Sequence, residues 1–115
     1  MDVYESARQL AKSLKETEEY LDYMALREAA FEEPADAALL NEYKRLTFRL
    51  QSRMASGEEL PHEETQRLER IAGILQLNKT TGDYLLAELR FQKLLADVFG
   101  ILSEATGIDP EAFSG

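Results

Sequence analysis

His62 is the single histidine of the chain and the first place to look for chemistry. It closes the stretch Glu59-Leu60-Pro61-His62, one half of the Glu-x-x-His arrangement used by carboxylate-bridged di-iron bundles. Such a centre needs two of these motifs and two further glutamates, all on helices and all facing inward. Here there is one motif, and Pro61 makes it a turn, so His62 reads as a surface residue of a loop. A catalytic triad finds no partner set for the same imidazole. Carboxylates cluster at Glu16, Glu18 and Glu19, at Glu32 and Glu33, and at Glu63 and Glu64. Acid–base catalysis needs buried carboxylates with shifted pKa values, whereas these fall on helix faces and ends where solvent is expected. The absence of cysteine excludes disulfides, thiol catalysis and thiolate metal sites. No glycine run forms a phosphate-cradling loop. Gly73 and Gly100 lie inside helical patterns, each costing about 1 kcal/mol relative to Ala, and read as tight helix crossings. The expectation is a protein that is not an enzyme and holds no metal or cofactor.

One basic stripe stands out. Arg45, Arg49 and Arg53 recur every four residues, with Lys44 beside them. Such a stripe suits an acidic partner or RNA. Glu42, three residues before Arg45, shares its helix face and is placed to pair with it, and no aromatic platform interleaves with the arginines. Surface or intersubunit ion pairing is the first reading, and nucleic-acid binding through Arg45, Arg49 and Arg53 is the alternative. The formal net charge of −9 also opposes phosphate backbones and anionic membrane surfaces.

These residues need elements to carry them, and the apolar spacing supplies helices throughout. With 44 % hydrophobic and 30 % charged residues, the chain has a globular rather than a disordered composition. Residues 2–32 lack Gly and Pro, and Val3, Ala7, Leu10, Leu14, Thr17, Leu21 and Met24 follow a four-three spacing. That predicts one long first helix, capped by Asp2 with Glu5 in capping-box position and ended before Pro34. A second helix starts at Asp36 or earlier, carries Leu39, Tyr43, Leu46 and Leu50, and ends at Ser56-Gly57. Pro61 opens a third, with Leu68, Ile71, Ala72 and Leu75 as its stripe and a cap or kink at Asn78. The last runs from about Thr80 to Thr106, with Gly107 past its end. Tyr84, Leu85, Leu86, Leu89, Phe91, Leu94, Leu95, Val98, Phe99, Ile101 and Leu102 make it apolar on more than one side.

The fold expected is all-α: about four long helices in an antiparallel bundle, in one domain over residues 1–107 with a short tail at 108–115. A first helix of about 30 residues would span roughly 45 Å and overhang a compact domain about 35 Å across. That overhang and the two-sided last helix predict completion by self-association, as a dimer first and a tetramer second. Leu10, Leu14, Leu21, Leu85, Leu89, Leu95, Phe99 and Leu102 are the candidate contacts. No signal peptide is visible and no apolar run approaches the length of a membrane span, so the cytoplasm is the expected location.

The order of these elements resembles a known family. Ala7, Leu10, Ala11 and Leu14 lead to Glu18-Glu19-Tyr20. Asp36-Ala37-Ala38-Leu39-Leu40 follows Pro34. The Asn78-Lys79 break precedes Tyr84-Leu85-Leu86-Ala87-Glu88, and Phe91-Gln92-Lys93-Leu94-Leu95 leads to Val98. Over roughly residues 3–105 this is similar to the YlbF/YmcA family of small bacterial helical proteins, with its YheA-like members. The resemblance implies an all-α protein that associates with itself or with a related helical protein. It also implies a regulatory role, in some members as accessory factors to RNase Y in messenger-RNA processing and so in competence, biofilm formation and sporulation. Iron–sulfur clusters held by some complexes of this kind use cysteines, which this chain lacks. The resemblance implies no catalytic residue. The expected function is that of a non-enzymatic helical adaptor or regulator acting through protein contacts, with a further copy, a related helical protein or an RNase-associated protein as partner.

Overall fold

The structure, a computed structural model, describes residues 2–109. Five α-helices account for it, with no strand among the described residues. They are α1 Val3–Lys15, α2 Glu18–Glu32, α3 Pro34–Ala55, α4 His62–Leu77 and α5 Lys79–Thr106. The all-α class is as expected. The fifth helix comes from a break in the first one.

That break is made by Thr17. Its hydroxyl donates to the carbonyl oxygen of Leu14 at 2.7 Å and accepts the backbone N–H of Tyr20 at 3.2 Å. One side chain thereby satisfies a carbonyl at the end of α1 and a free N–H at the start of α2. The four-three apolar spacing runs straight through Thr17, so periodicity does not register the interruption. Helices of 13 and 15 residues, each about 20 Å long, replace the expected 45 Å rod, and the overhang argument loses its premise.

Other ends follow the local chemistry read above. The backbone N–H of Glu5 donates to Oδ1 of Asp2 at 2.7 Å. Pro34 occupies the first turn of α3, which begins there rather than at Asp36. Gly57 and Gly107 take φ values of +77° and +74° just past the ends of α3 and α5, the left-handed conformation that glycine adopts without penalty.

The chain divides into two compact units, one formed by Met1–Met24 with Leu86–Gly115 and the other by Ala25–Leu85. In the Ala25–Leu85 unit, α3 and α4 form an antiparallel hairpin. Arg49 pairs with Glu64, Glu42 with Arg67, and Asp36 with Asn78, so residue numbers fall along α3 as they rise along α4. Between the helices Leu40, Leu46, Ile71 and Leu75 are buried, with Ala30 of α2, Leu60 and Tyr84. Phe31 meets the Tyr84 ring edge-on at 5.7 Å, and the Lys44 ammonium lies 5.2 Å from its centroid. Truncating Leu40 or Leu75, both fully enclosed, would cost about 2–5 kcal/mol.

Asn78 joins α4 to α5. Its Oδ1 accepts the backbone N–H of Thr80 at 2.9 Å, capping α5, while its Nδ2 donates to both carboxylate oxygens of Asp36 at 3.3 and 3.4 Å. The buried hydroxyl of Thr81 donates to the Leu75 carbonyl at 2.6 Å. Gly82 packs so closely that a Cβ there would lie 3.2 Å from the carbonyl oxygen of Gln76. The tight approaches expected at Gly73 and Gly100 are not found among the described residues, none of which lies within 4 Å of a Cβ at either outside the helix's own nearby backbone.

The unit formed by Met1–Met24 and Leu86–Gly115 is held differently. Tyr20 and Tyr23 of α2 pack on Phe91 of α5 at 5.3 and 5.5 Å between centroids. Ala87 is its one buried hydrophobic residue among those described, and α1 has none. Of the expected tail at 108–115, only Ile108 and Asp109 lie within the described residues.

Two substitutions test these joints by urea unfolding. Thr17→Ala removes the cap between α1 and α2 and should cost about 1 kcal/mol. Asn78→Asp keeps the cap on α5 but sets a carboxylate against Asp36 in place of an amide donor, and should cost about 1 kcal/mol or more.

Candidate interaction surface

The arginine stripe lies along α3, and each guanidinium meets an oxygen. Arg49 Nη1 sits 2.6 Å from Oε1 of Glu64 on α4. Arg53 Nη1 donates to the Glu59 carbonyl at 3.3 Å and lies 3.9 Å from the Glu58 carboxylate. Arg45 is 3.9 Å from Glu42. Glu42 itself turns to α4, where Arg67 grips it through Nε and through Nη2, the latter at 2.8 Å. Arg67 was not among the sequence candidates. Its partner is 25 residues away, and only the hairpin register brings the two together. The other oxygen of Glu64 is enclosed and accepts no hydrogen bond.

The Arg67 hydrogen bond, ahead of its charge and that of Arg45, holds the Glu42 carboxyl below the ordinary carboxylate range, against an opposing contribution from desolvation. The same contact raises Arg67. Arg49 and Arg53 thus clasp α4 and the hairpin turn, while Arg45 stays on α3 beside Glu42.

His62 opens α4 as an exposed residue. It borders an open depression of about 420 Å³ at the hairpin turn, with Leu50, Met54, Leu60 and Thr65 alongside and Glu58 and Glu59 at the rim. Among the described residues no three His, Asp or Glu side chains are grouped to hold a metal ion. Glu18, Glu19 and Asp22 border a smaller cleft with Arg90 and Ala87. None of these arrangements places a nucleophile beside a base. No described helix is long and apolar enough to cross a membrane.

The apolar candidates are spread over several faces. Leu21, Leu89, Phe99 and Leu102 leave more than half of their surface exposed, and Leu10 leaves 38 %. Leu14, Leu85 and Leu95 are half-buried. Leu86 and Ile101, equally uncovered, belong with the exposed group. Phe48 and Leu77, exposed in the Ala25–Leu85 unit, were not singled out from the sequence. Each is out of phase with the buried stripe of its helix, and that phase is the signal that would have found them.

Comparison with known proteins places these features in company. A family model described as "Control of competence regulator ComK, YlbF/YmcA" matches residues 3–106. A UPF0342 protein of Symbiobacterium thermophilum is 36 % identical over 107 residues, covering 93 % of this chain and 96 % of its own. Another, from Desulfitobacterium hafniense, is 30 % identical, covering 91 % and 85 %. Among solved structures, a protein of unknown function (DUF964) from Bacillus stearothermophilus superposes with a TM-score of 0.75 at 15 % identity, over 91 % of this chain and 92 % of that one. RicA of Bacillus subtilis, solved in complex with RicF, superposes with a TM-score of 0.60 at 20 % identity, over 91 % and 93 %.

The Glu42–Arg67 pair makes a pH-dependent contribution of known sign. The folded chain keeps Glu42 ionised to lower pH than the unfolded chain does. The pair's stability is therefore complete above the ordinary carboxylate value and is lost as pH falls through the lowered one. Glu42→Gln should unfold at lower urea than the unaltered protein near neutral pH. The difference should shrink in strong acid and also in high salt, which screens an exposed pair.

Proposed function

Because the chain belongs to the YlbF/YmcA family, we propose that it acts as a non-enzymatic helical regulator that works by binding other helical proteins, beginning with a second copy of itself. The observation that carries this is the unit formed by Met1–Met24 and Leu86–Gly115. Leu21, Leu86, Leu89, Phe99, Ile101 and Leu102 are each more than half exposed there, while Ala87 is the one buried hydrophobic residue among those described. Large apolar side chains left uncovered in that number suit contact with another protein. The dimer is the proposed assembly. A related helical protein is the next partner to seek, since RicA, of the same fold, was solved with RicF. The family description supports a place in developmental regulation, and an accessory role in bacterial RNA processing is the finer form of the proposal.

The arginine stripe fits this reading better than it fits phosphate contact. A guanidinium already facing a carboxylate must give up that partner to bind nucleic acid, and Arg49 would leave Glu64 behind.

Light scattering after size-exclusion chromatography tests the proposal. Across a wide concentration range the expected mass is twice the chain's 13.1 kDa. A mass of one chain at every concentration would overturn self-association.

A further inference from the structure

The apolar stripe of α3 outruns the helix that covers it. Leu46, Leu50 and Met54 recur every four residues and so share one face. Leu46 is buried, Leu50 is half-buried and Met54 is 66 % exposed. The register explains the trend. Arg49 lies opposite Glu64, in the first turn of α4, so the last turn of α3 extends past the start of α4 and meets only the linking segment. Leu60 folds in from that segment and is buried, yet it fills only part of the space. What remains is the depression of about 420 Å³, with Leu50, Met54 and Leu60 on its apolar side and Glu58 and Glu59 at its rim. The unbranched thioether of a methionine adapts to whatever side chain is set against it.

The charges choose the occupant. Glu58, Glu59, Glu63 and Glu64 crowd the turn and the start of α4, with no Lys or Arg among them. Arg49 and Arg53 face them from α3. Arg49 is taken by Glu64. Arg53 holds the Glu59 carbonyl oxygen at 3.3 Å and stands 3.9 Å from the Glu58 carboxylate, which is 66 % exposed. Neither the Glu59 nor the Glu63 carboxylate pairs with a cation among the described residues. The rim therefore keeps an excess of negative charge beside an apolar floor. A wholly apolar occupant would shield those carboxylates from water without pairing them, and an acidic one would be repelled. We propose that the depression receives a short basic segment of another protein, with an apolar side chain seated against Leu50 and Met54 and an arginine or lysine beside it facing Glu58 and Glu59. This inference goes beyond the self-association proposed above. It concerns the Ala25–Leu85 unit and needs no second copy.

Fluorescence anisotropy of labelled peptides on the full chain tests it. Three short peptides of equal length are compared: a leucine between two arginines, a leucine between two glutamates, and a serine between two arginines. The leucine–arginine peptide should bind saturably, about ten-fold more tightly than the serine–arginine peptide, and more weakly as salt rises. The leucine–glutamate peptide should not bind. Met54→Ser, at an exposed position, should bring the leucine–arginine peptide down to the level of the serine one. Glu58→Gln combined with Glu59→Gln should weaken it several-fold. Glu18→Gln combined with Asp22→Gln, in the other unit, should leave it unchanged. Equal binding of the leucine and serine peptides, or a loss with the Glu18 and Asp22 changes, would mean diffuse attraction to an acidic chain and overturn the site. Binding of the glutamate peptide would overturn the choice of occupant. Failure of every peptide to bind would overturn the proposal outright. If Met54→Ser then also lowered the mass seen by light scattering, a second copy would be the occupant, and self-association would stand without this inference.

Discussion

The antiparallel register of α3 and α4 is the constraint on which the Ala25–Leu85 unit depends. It buries Leu40 and Leu46 opposite Ile71 and Leu75, and it carries three polar clasps along its length. Glu42–Arg67, Arg49–Glu64 and Asp36–Asn78 are exposed or partly exposed, so each contributes little to stability. Their value is positional. A slip of one residue in either helix would part all three and move the apolar stripes off one another. The last clasp passes the constraint onward, because Asn78 holds Asp36 with its amide nitrogen and starts α5 with its amide oxygen. Tyr84 then enters the core two turns later, between Phe31 and Lys44.

The sequence showed what depends on local chemistry. Asp2 with Glu5, Pro34, Gly57, Asn78 and Gly107 mark ends where a residue type answers a backbone need within a few positions, and the structure places ends at all of them. Thr17 escaped notice because an apolar seam tolerates one threonine without losing its period, and capping by a hydroxyl requires neither glycine nor proline. Gly82 escaped for the opposite reason. Its close neighbour is set by the turn at Asn78, whereas Gly73 and Gly100, deeper in regular patterns, looked the more constrained. Of the interaction surface, the arginine stripe was legible as a stripe. That Arg67 would take Glu42 from Arg45 was not, because only tertiary register fixes that choice.

The two units divide the labour of the sequence. One has a buried core of large apolar side chains, from Leu40 to Tyr84, and turns Arg49, Arg53 and Arg67 onto its own oxygens. The other keeps its large apolar side chains largely uncovered and rests on the three rings of Tyr20, Tyr23 and Phe91. The chain's membership of the YlbF/YmcA family places it among regulators rather than in a known enzyme family. The sequence relatives match this chain over most of their own length, and the solved structures, of other proteins, share its fold at identities too low to carry side-chain detail.

The division of the chain also sets an order of events during synthesis. The Ala25–Leu85 unit is one continuous stretch, so its contacts close short loops and can form as soon as that stretch has left the ribosome. The other unit is assembled from the two ends of the chain, separated by the whole of the first. Tyr20 and Tyr23 emerge early and must wait for Phe91. Throughout that interval the two rings lack the face that joins them in the finished chain, so the last helix made decides when the first ones settle.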